Sequence, residues 1–335
     1  MSNVIALDVG HSAVKLAFRN TAGAVVKHLI PSAVFRFLPI TDEAERRRAE
    51  KEVVELDGQK FFVGQTAIVQ GGQEALIGLS ENWIDTIEHR ALIKGAFNFL
   101  RNQNALSEGD CVVMGLPTHL CSRQKDELAN IVHRIDATLQ VLVYAQPLGP
   151  FMSVMLNENG APNQGRSLSK DSWAVIDVGH FTTDFMLAER GRWKERSSGY
   201  CPGFSNAIDT LIRTVSENHK LTMSTVEAAH VFASGDYSIM DFGKKKSIEK
   251  EAREAIDQLV SLIIDRASAM FESHVRSLNG VVIAGGGATA VYQRLKEIWG
   301  HSVLVSDHRF AVAEGLRRYG ITMSSLQRKA TAAAV

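Results

Sequence analysis

The sequence has no excess of charge, no long apolar run and almost no cysteine, and each shortage excludes a class of protein. Lysine plus arginine and aspartate plus glutamate number 37 each. No net field therefore draws the chain toward nucleic acid or an anionic membrane, and a link to DNA or RNA would have to be local or carried by an adaptor. No window approaches the ~18 uninterrupted apolar residues of a membrane-spanning helix. The N-terminus alternates like a strand and lacks the build of a secretion signal. Cys111, Cys121 and Cys201 are odd in number and lack metal-ligand spacing, which suits a reducing compartment. A soluble, cytoplasmic protein is expected. The 335 residues, 45% hydrophobic and 22% charged, suffice for two globular domains burying roughly 75% of the unfolded surface.

Residues 4–9 form an apolar run interrupted by Asp8 and closed by Gly10. After His11-Ser12-Ala13 the alternation resumes over residues 14–18, which predicts strand, tight turn, strand. Half a chain later the pattern returns. Residues 173–178 lead into Asp177-Val178-Gly179-His180, a repeat of Asp8-Val9-Gly10-His11, and a further strand follows over 185–188. Similarity at half-length predicts two lobes built on one plan.

A single Asp-x-Gly commonly does no more than close a hairpin. Two copies on buried strands have a chemical use. Glycine lets backbone N–H groups approach a phosphate closely. The neighbouring acid would repel phosphate, and makes sense with a divalent cation between them, bound directly or through water. Gly285-Gly286-Gly287 follows an apolar strand over 281–284 and precedes a helix predicted at 289–299. Glycines there let a flat ligand lie against backbone, and the helix start adds partial positive charge; a triplet can also be simply a flexible turn.

Elsewhere, residues 41–52 read as a solvated loop or helix face, with acids interleaved among bases. Asp57-Gly58-Gln59-Lys60 reads as a hairpin turn, and Lys244-Lys245-Lys246 as an exposed loop open to an acidic partner. Apolar positions from Ile256 to Val275 recur at three-to-four spacing, predicting a long helix. Residues 157–170, rich in Asn, Gly, Pro and Ser, are taken as the crossing between lobes, and 324–335 as a frayed tail.

Asp8-x-Gly10-x-x-x-x-Lys15 resembles the first phosphate loop of actin-like ATPases. Ile176-Asp177-Val178-Gly179-His180-Phe181-Thr182-Thr183-Asp184 resembles their second, and Ala284-Gly285-Gly286-Gly287-Ala288 their adenosine motif. Gly115-Leu116-Pro117, the junction at Gln146 and Ala311-Val312-Ala313-Glu314-Gly315 match connecting elements in order and spacing. The resemblance covers residues 4 to about 320. Within the superfamily it looks closest to the bacterial plasmid-segregation actins (the ParM/StbA group), through the short chain, the Asp57-Gly58-x-x-Phe61-x-Val63-Gly64 hairpin and the Gly115-Leu116-Pro117 strand end. His180 and Phe181 depart from the small Gly and Thr residues usual in the second loop.

The resemblance implies an α/β, actin-like (ribonuclease H-like) duplicated two-lobe fold with a central nucleotide cleft. Lobe I would comprise residues 1–156, completed by a C-terminal helix at about 307–322, lobe II residues 157–306, and a flexible tail 323–335. It implies ATP and Mg²⁺ as cofactors, slow hydrolysis, self-association into filaments, and plasmid or DNA segregation through a DNA-binding adaptor, without direct nucleic-acid or membrane contact. Asp8 and Asp177 would organise the Mg²⁺, through water. Gln146 would orient the attacking water, although it also reads as a capping residue. Lys15 would reach the β/γ-phosphates, unless it is a solvated strand lysine. Gly10, His11 and Ser12 would cradle phosphate from one side, Gly179, His180 and Thr182 from the other, with Gly285, Gly286 and Gly287 at the adenosine. His11 and His180, with no third ligand nearby in sequence, read as turn residues rather than a metal pair. A small-molecule kinase of the same superfold, similar to type III pantothenate kinases, is the alternative. It would need an acceptor pocket and a base for which the sequence offers no extra acid.

Overall fold

The computed structural model describes residues 3–75 and 82–333. The chain divides into two compact units, Met1–Leu168 with Phe310–Val335, and Ser169–Arg309. In chain order the first unit contains β1 (Val4–Val9), β2 (Ala13–Arg19), β3 (Val25–Pro31), β4 (Val34–Arg36), α1 (Glu43–Ala49), β5 (Val53–Leu56), β6 (Gln59–Val63), α2 (Gln65–Gly71), α3 (Ile87–Asn102), β7 (Cys111–Leu116), α4 (Thr118–Ile135), β8 (Gln140–Ala145) and α5 (Leu148–Met155). The second contains β9 (Trp173–Val178), β10 (Thr182–Glu189), β11 (Arg192–Trp193), β12 (Gly199–Pro202), α6 (Ser205–His219), α7 (Thr225–Ser234), β13 (Ser238–Asp241), β14 (Lys244–Ser247), α8 (Glu249–Phe271), β15 (Gly280–Ala284), α9 (Ala288–Ile298) and β16 (Ser302–Leu304). Helix α10 (Ala311–Ala333) returns to the first unit.

The two main sheets share one plan. Their strand orders are β3-β2-β1-β7-β8 and β11-β10-β9-β15-β16. In each, the motif strand pairs antiparallel with its hairpin partner and parallel with a later strand. A strand with a neighbour on both edges and side chains buried on both faces must be apolar almost throughout. That is why β1 (VIALDV) and β9 (WAVIDV) are buried at every position and tolerate one acid apiece.

In the first unit α3 and α4 cover one face, placing Leu92, Phe97, Leu128 and Ile131 over Ile5 and Leu7. Helix α10 covers the other with Val312, Ala313 and Leu316 against Ala6 and Val113. Helices α5 and α10 touch backbone to backbone, since a Cβ at Gly315 would collide with the Gly149 carbonyl. In the second unit α6, α7, α8 and α9 pack Leu211, Val231, Leu259 and Val291 with Ile176, Phe185 and Ile283.

Several boundaries differ from the sequence expectation. The first unit runs to Leu168 rather than residue 156. Its polar stretch is tied down there: Arg317 donates to the Glu158 carbonyl (3.1 Å), Thr322 to Gly160 (2.7 Å) and Arg19 to the Asn159 side chain (2.7 Å). The second unit ends at Arg309 rather than 306, and the expected frayed tail continues α10 to Ala333, since alanine favours helix. Residues 41–52 contain α1, whose first turn is capped by Asp42. Lys244, Lys245 and Lys246 lie on a strand rather than a loop, paired in the two-stranded ribbon β13–β14.

Candidate functional site

Hairpin β1–β2 sets Asp8 directly opposite Lys15. Facing side chains in an antiparallel pair lie on one face of the sheet, and here they form an ion pair, Lys15 Nζ to Asp8 Oδ2 at 2.9 Å. The Gln146 side-chain amide donates to the other oxygen, Asp8 Oδ1, at 2.7 Å. Gln146 stands between β8 and α5, and its own N–H donates to the Leu116 carbonyl at 2.8 Å. The parallel pairing of β7 with β8 thus carries it to the end of β1. Asp8 is only 3% exposed, so these two donors satisfy a carboxylate that burial would otherwise make costly.

The turn after Asp8 closes with Gly10 N–H donating to the Ala13 carbonyl (3.2 Å). Ser12 is exposed at its tip, while His11 lays its ring on Trp83, centroids 4.8 Å apart and 25° between planes. Behind that stack lies His89, edge-on to Trp83 at 5.1 Å. Burial, and secondarily the charge of His11, pushes the His89 pKa down to about 3 against a smaller opposing backbone hydrogen bond at Ile84.

Hairpin β9–β10 repeats the turn: Gly179 N–H donates to the Thr182 carbonyl at 2.9 Å. Its register sets Asp177 opposite Asp184, the same seven-residue offset that sets Asp8 opposite Lys15. Both carboxylates are buried, at 7% and 2% exposure. The Thr182 hydroxyl donates to Asp184 Oδ2 at 2.8 Å. His180 and Phe181 meet edge to face at 4.5 Å. These bulky rings leave the backbone of the loop ordered, because Phe204, Ser205 and Gly203 at the start of α6 donate to the carbonyls of Gly179, His180 and Phe181 at 2.7–2.9 Å.

The glycine loop adjoins this second hairpin. Gly285 has φ +94°, and a Cβ there would stand 2.6 Å from Asp177 Oδ1, so only glycine fits. Its N–H donates to the His308 carbonyl (2.9 Å) while its carbonyl meets His308 Nδ1 (2.7 Å). Gly287 N–H donates to the Val178 carbonyl at 3.0 Å. The triplet is therefore a clamped turn rather than a flexible one. A Cβ at Gly286 would meet nothing within 4 Å, so that residue offers bare backbone.

The expected site residues thus fall into two sets. Asp8, Gly10, His11, Ser12, Lys15 and Gln146 come together in the first unit, with Lys15 on Asp8 and the His11 ring on Trp83. Asp177, Gly179, His180, Thr182, Gly285, Gly286 and Gly287 come together in the second. Asp184, quoted in the second-loop motif, was given no role, and Trp83, Ser32 and His308 were missed. Asp184 had a signal in its spacing from Asp177; the other three had none in local sequence. Among the described residues no cluster of three or more His, Cys, Asp or Glu forms a metal cage, and no helix is long and apolar enough to cross a membrane.

Two family models match this chain, the actin-like proteins N-terminal domain over residues 6–149 and the archaeal actin homologue MreB-like C-terminal domain over residues 175–297. No curated protein sequence matches it. Its fold is similar to that of the ParM of a 15-stranded filament from Clostridium botulinum, at 20% identity and TM-score 0.73 over 96% of this chain and 99% of that one. An archaeal actin homolog is similar at 19% identity and TM-score 0.73 over 95% and 99%. The same homolog in complex with ADP gives 18% identity and TM-score 0.68 over 95% and 99%. The chain belongs to the actin-like proteins, with a two-lobed α/β fold of that kind.

Proposed function

We propose that the protein binds Mg-ATP, hydrolyses it slowly and assembles into filaments of the ParM type, acting in DNA segregation through an adaptor that contacts the DNA. The observation that carries this reading is the repeated hairpin, each copy ending a buried central strand with an acid beside a glycine turn. The similar ParM forms a filament and the similar archaeal homolog binds ADP.

Asp177 and Asp184 suit a magnesium ion. They are hard oxygen donors, buried on one face, and too few to enclose the ion without waters and phosphate oxygens. When bound, the ion neutralises phosphate charge. Lys15 brings a compact positive charge to the first turn. Gln146, held by its N–H on Asp8, keeps a carbonyl oxygen to accept a hydrogen from the attacking water and so orient it. The bare backbone at Gly286 takes the flat face of the base. Catalysis is then chiefly positioning.

Sedimentation with and without Mg-ATP, alongside phosphate release, tests the proposal. Pelleting above a threshold protein concentration is expected with nucleotide only, and Asp177→Ala should keep the fold while losing phosphate release. A solution that stays clear at every concentration rejects assembly. Undiminished release by Asp177→Ala removes that residue from the site.

A further inference from the structure

We propose that Trp83 is a positioning residue for the first phosphate loop, strapping the turn after Asp8 into the shape that receives phosphate. The inference rests on the nucleotide-binding reading of hairpin β1–β2.

A phosphate loop works only if its N–H groups are already aimed before the ligand arrives. In this hairpin the aiming is done from outside. The Trp83 indole N–H donates to the Val9 carbonyl at 3.2 Å, a buried bond between residues 74 apart in sequence. The Ser32 hydroxyl donates to the Gly10 carbonyl and the Ser32 N–H to the Ser12 carbonyl, at 2.5 and 3.2 Å. Three of the four carbonyls from Val9 to Ser12 are therefore held by groups outside the turn. In a trans peptide the carbonyl and the following N–H point opposite ways. Holding the Val9 carbonyl consequently keeps the Gly10 N–H on the Ala13 carbonyl that closes the turn, and holding the Gly10 carbonyl directs the His11 N–H away from the anchors.

Trp83 adds a second hold, because its ring stacks against His11, inside the turn. The ring is itself wedged from behind by His89 and is 6% exposed. Burial keeps His89 uncharged at neutral pH, so the wedge does not titrate where the protein works. A phenyl ring would fill most of this space. Only indole among the large aromatics also places an N–H donor on the loop backbone.

Trp83→Phe separates the two roles. Titrated with Mg-ADP, it should fold like the native protein yet bind about three- to tenfold more weakly, the loss expected for one net hydrogen bond. KM for Mg-ATP should rise in proportion, with kcat changed less than about twofold, as for an interaction made equally in ground and transition states. Native tryptophan emission should shift on nucleotide addition, and the shift should vanish in Trp83→Phe. Phe97→Leu, in the same core away from the loop, should lower Tm without altering affinity. Native-like affinity and an intact emission shift in Trp83→Phe overturn the strap. Should Trp83→Phe fail to fold, Ser32→Ala carries the test: weakened Mg-ADP binding supports the strap and unchanged binding rejects it. Native protein that binds no Mg-ADP overturns the functional reading and the strap with it. Native binding with unaffected variants overturns the strap alone.

Discussion

The two hairpins agree in backbone and disagree in charge. Each ends a fully buried strand, closes with a glycine N–H on the carbonyl three residues on, and pairs its acid with the residue seven further along. In the first hairpin that residue is Lys15, and the acid is satisfied by the lysine and by Gln146. In the second it is Asp184, and two carboxylates face each other across the strands. Like charges directly opposite are unfavourable in a sheet. The difference teaches that one backbone frame carries two charge patterns. The acid of the first hairpin faces a lysine, and that of the second faces another acid.

Copying the first charge pattern into the second hairpin should have the largest effect. Asp184→Lys is expected to fold with an unchanged or higher melting midpoint, while phosphate release falls by about a hundredfold, the scale of losing one electrostatic contributor to a site. Release at the native rate would break the functional side of the comparison. The next effect is on stability. Lys15→Met leaves the 4% exposed Asp8 side chain with only Gln146, and should cost ~3 kcal/mol in denaturant unfolding, as when one partner of a buried pair is removed. Asp177→Asn relieves a like-charge pair and should cost less than Lys15→Met. Equal losses in the two variants would mean that the hairpins are not electrostatically distinct.

Near neutral pH a smaller effect is expected from protonation. The His89 pKa lies near 3 in the fold, because of burial and then His11, against ~6.5 in an unfolded chain. Between these values the unfolded state binds more protons. The stability is therefore fully present above about pH 6.5 and declines as pH falls toward 3, at up to ~1.4 kcal/mol per pH unit. Amide protection in β1–β2, taken relative to the intrinsic exchange rate at each pH, should fall between pH 7 and 5 more than in β9–β10, and His89→Phe should remove the excess. An unchanged profile in His89→Phe would assign the acid response elsewhere.

Much of this was legible because it is local. The Asp-Val-Gly-His repeat, the flanking apolar strands and the glycine triplet lie within a few residues of one another, so sequence alone predicts two like halves. Asp184 was legible as the end of the second-loop motif, and its pairing follows from counting seven from each motif acid. Trp83, Ser32 and His308 were illegible for a physical reason. Their partners lie 20 or more residues away, and one donor reaching one carbonyl leaves no periodicity. Residues 157–163 looked like a linker from composition. They are ordered by the Arg317 and Thr322 contacts and by hydrogen bonds among themselves, which composition does not register. The three lysines of β14 looked like a loop because the strand is a narrow two-stranded ribbon with few apolar positions.

Helix α10 bears on how the molecule is made. It supplies Val312, Ala313 and Leu316 to one face of the sheet whose first strand begins at Val4. During synthesis that strand emerges before every element of the second unit and its cover after all of them. The Ser169–Arg309 body can complete its own core while the earlier sheet still shows an apolar face. The half that is translated first is therefore the half that closes last, and an incomplete chain is most vulnerable to aggregation there.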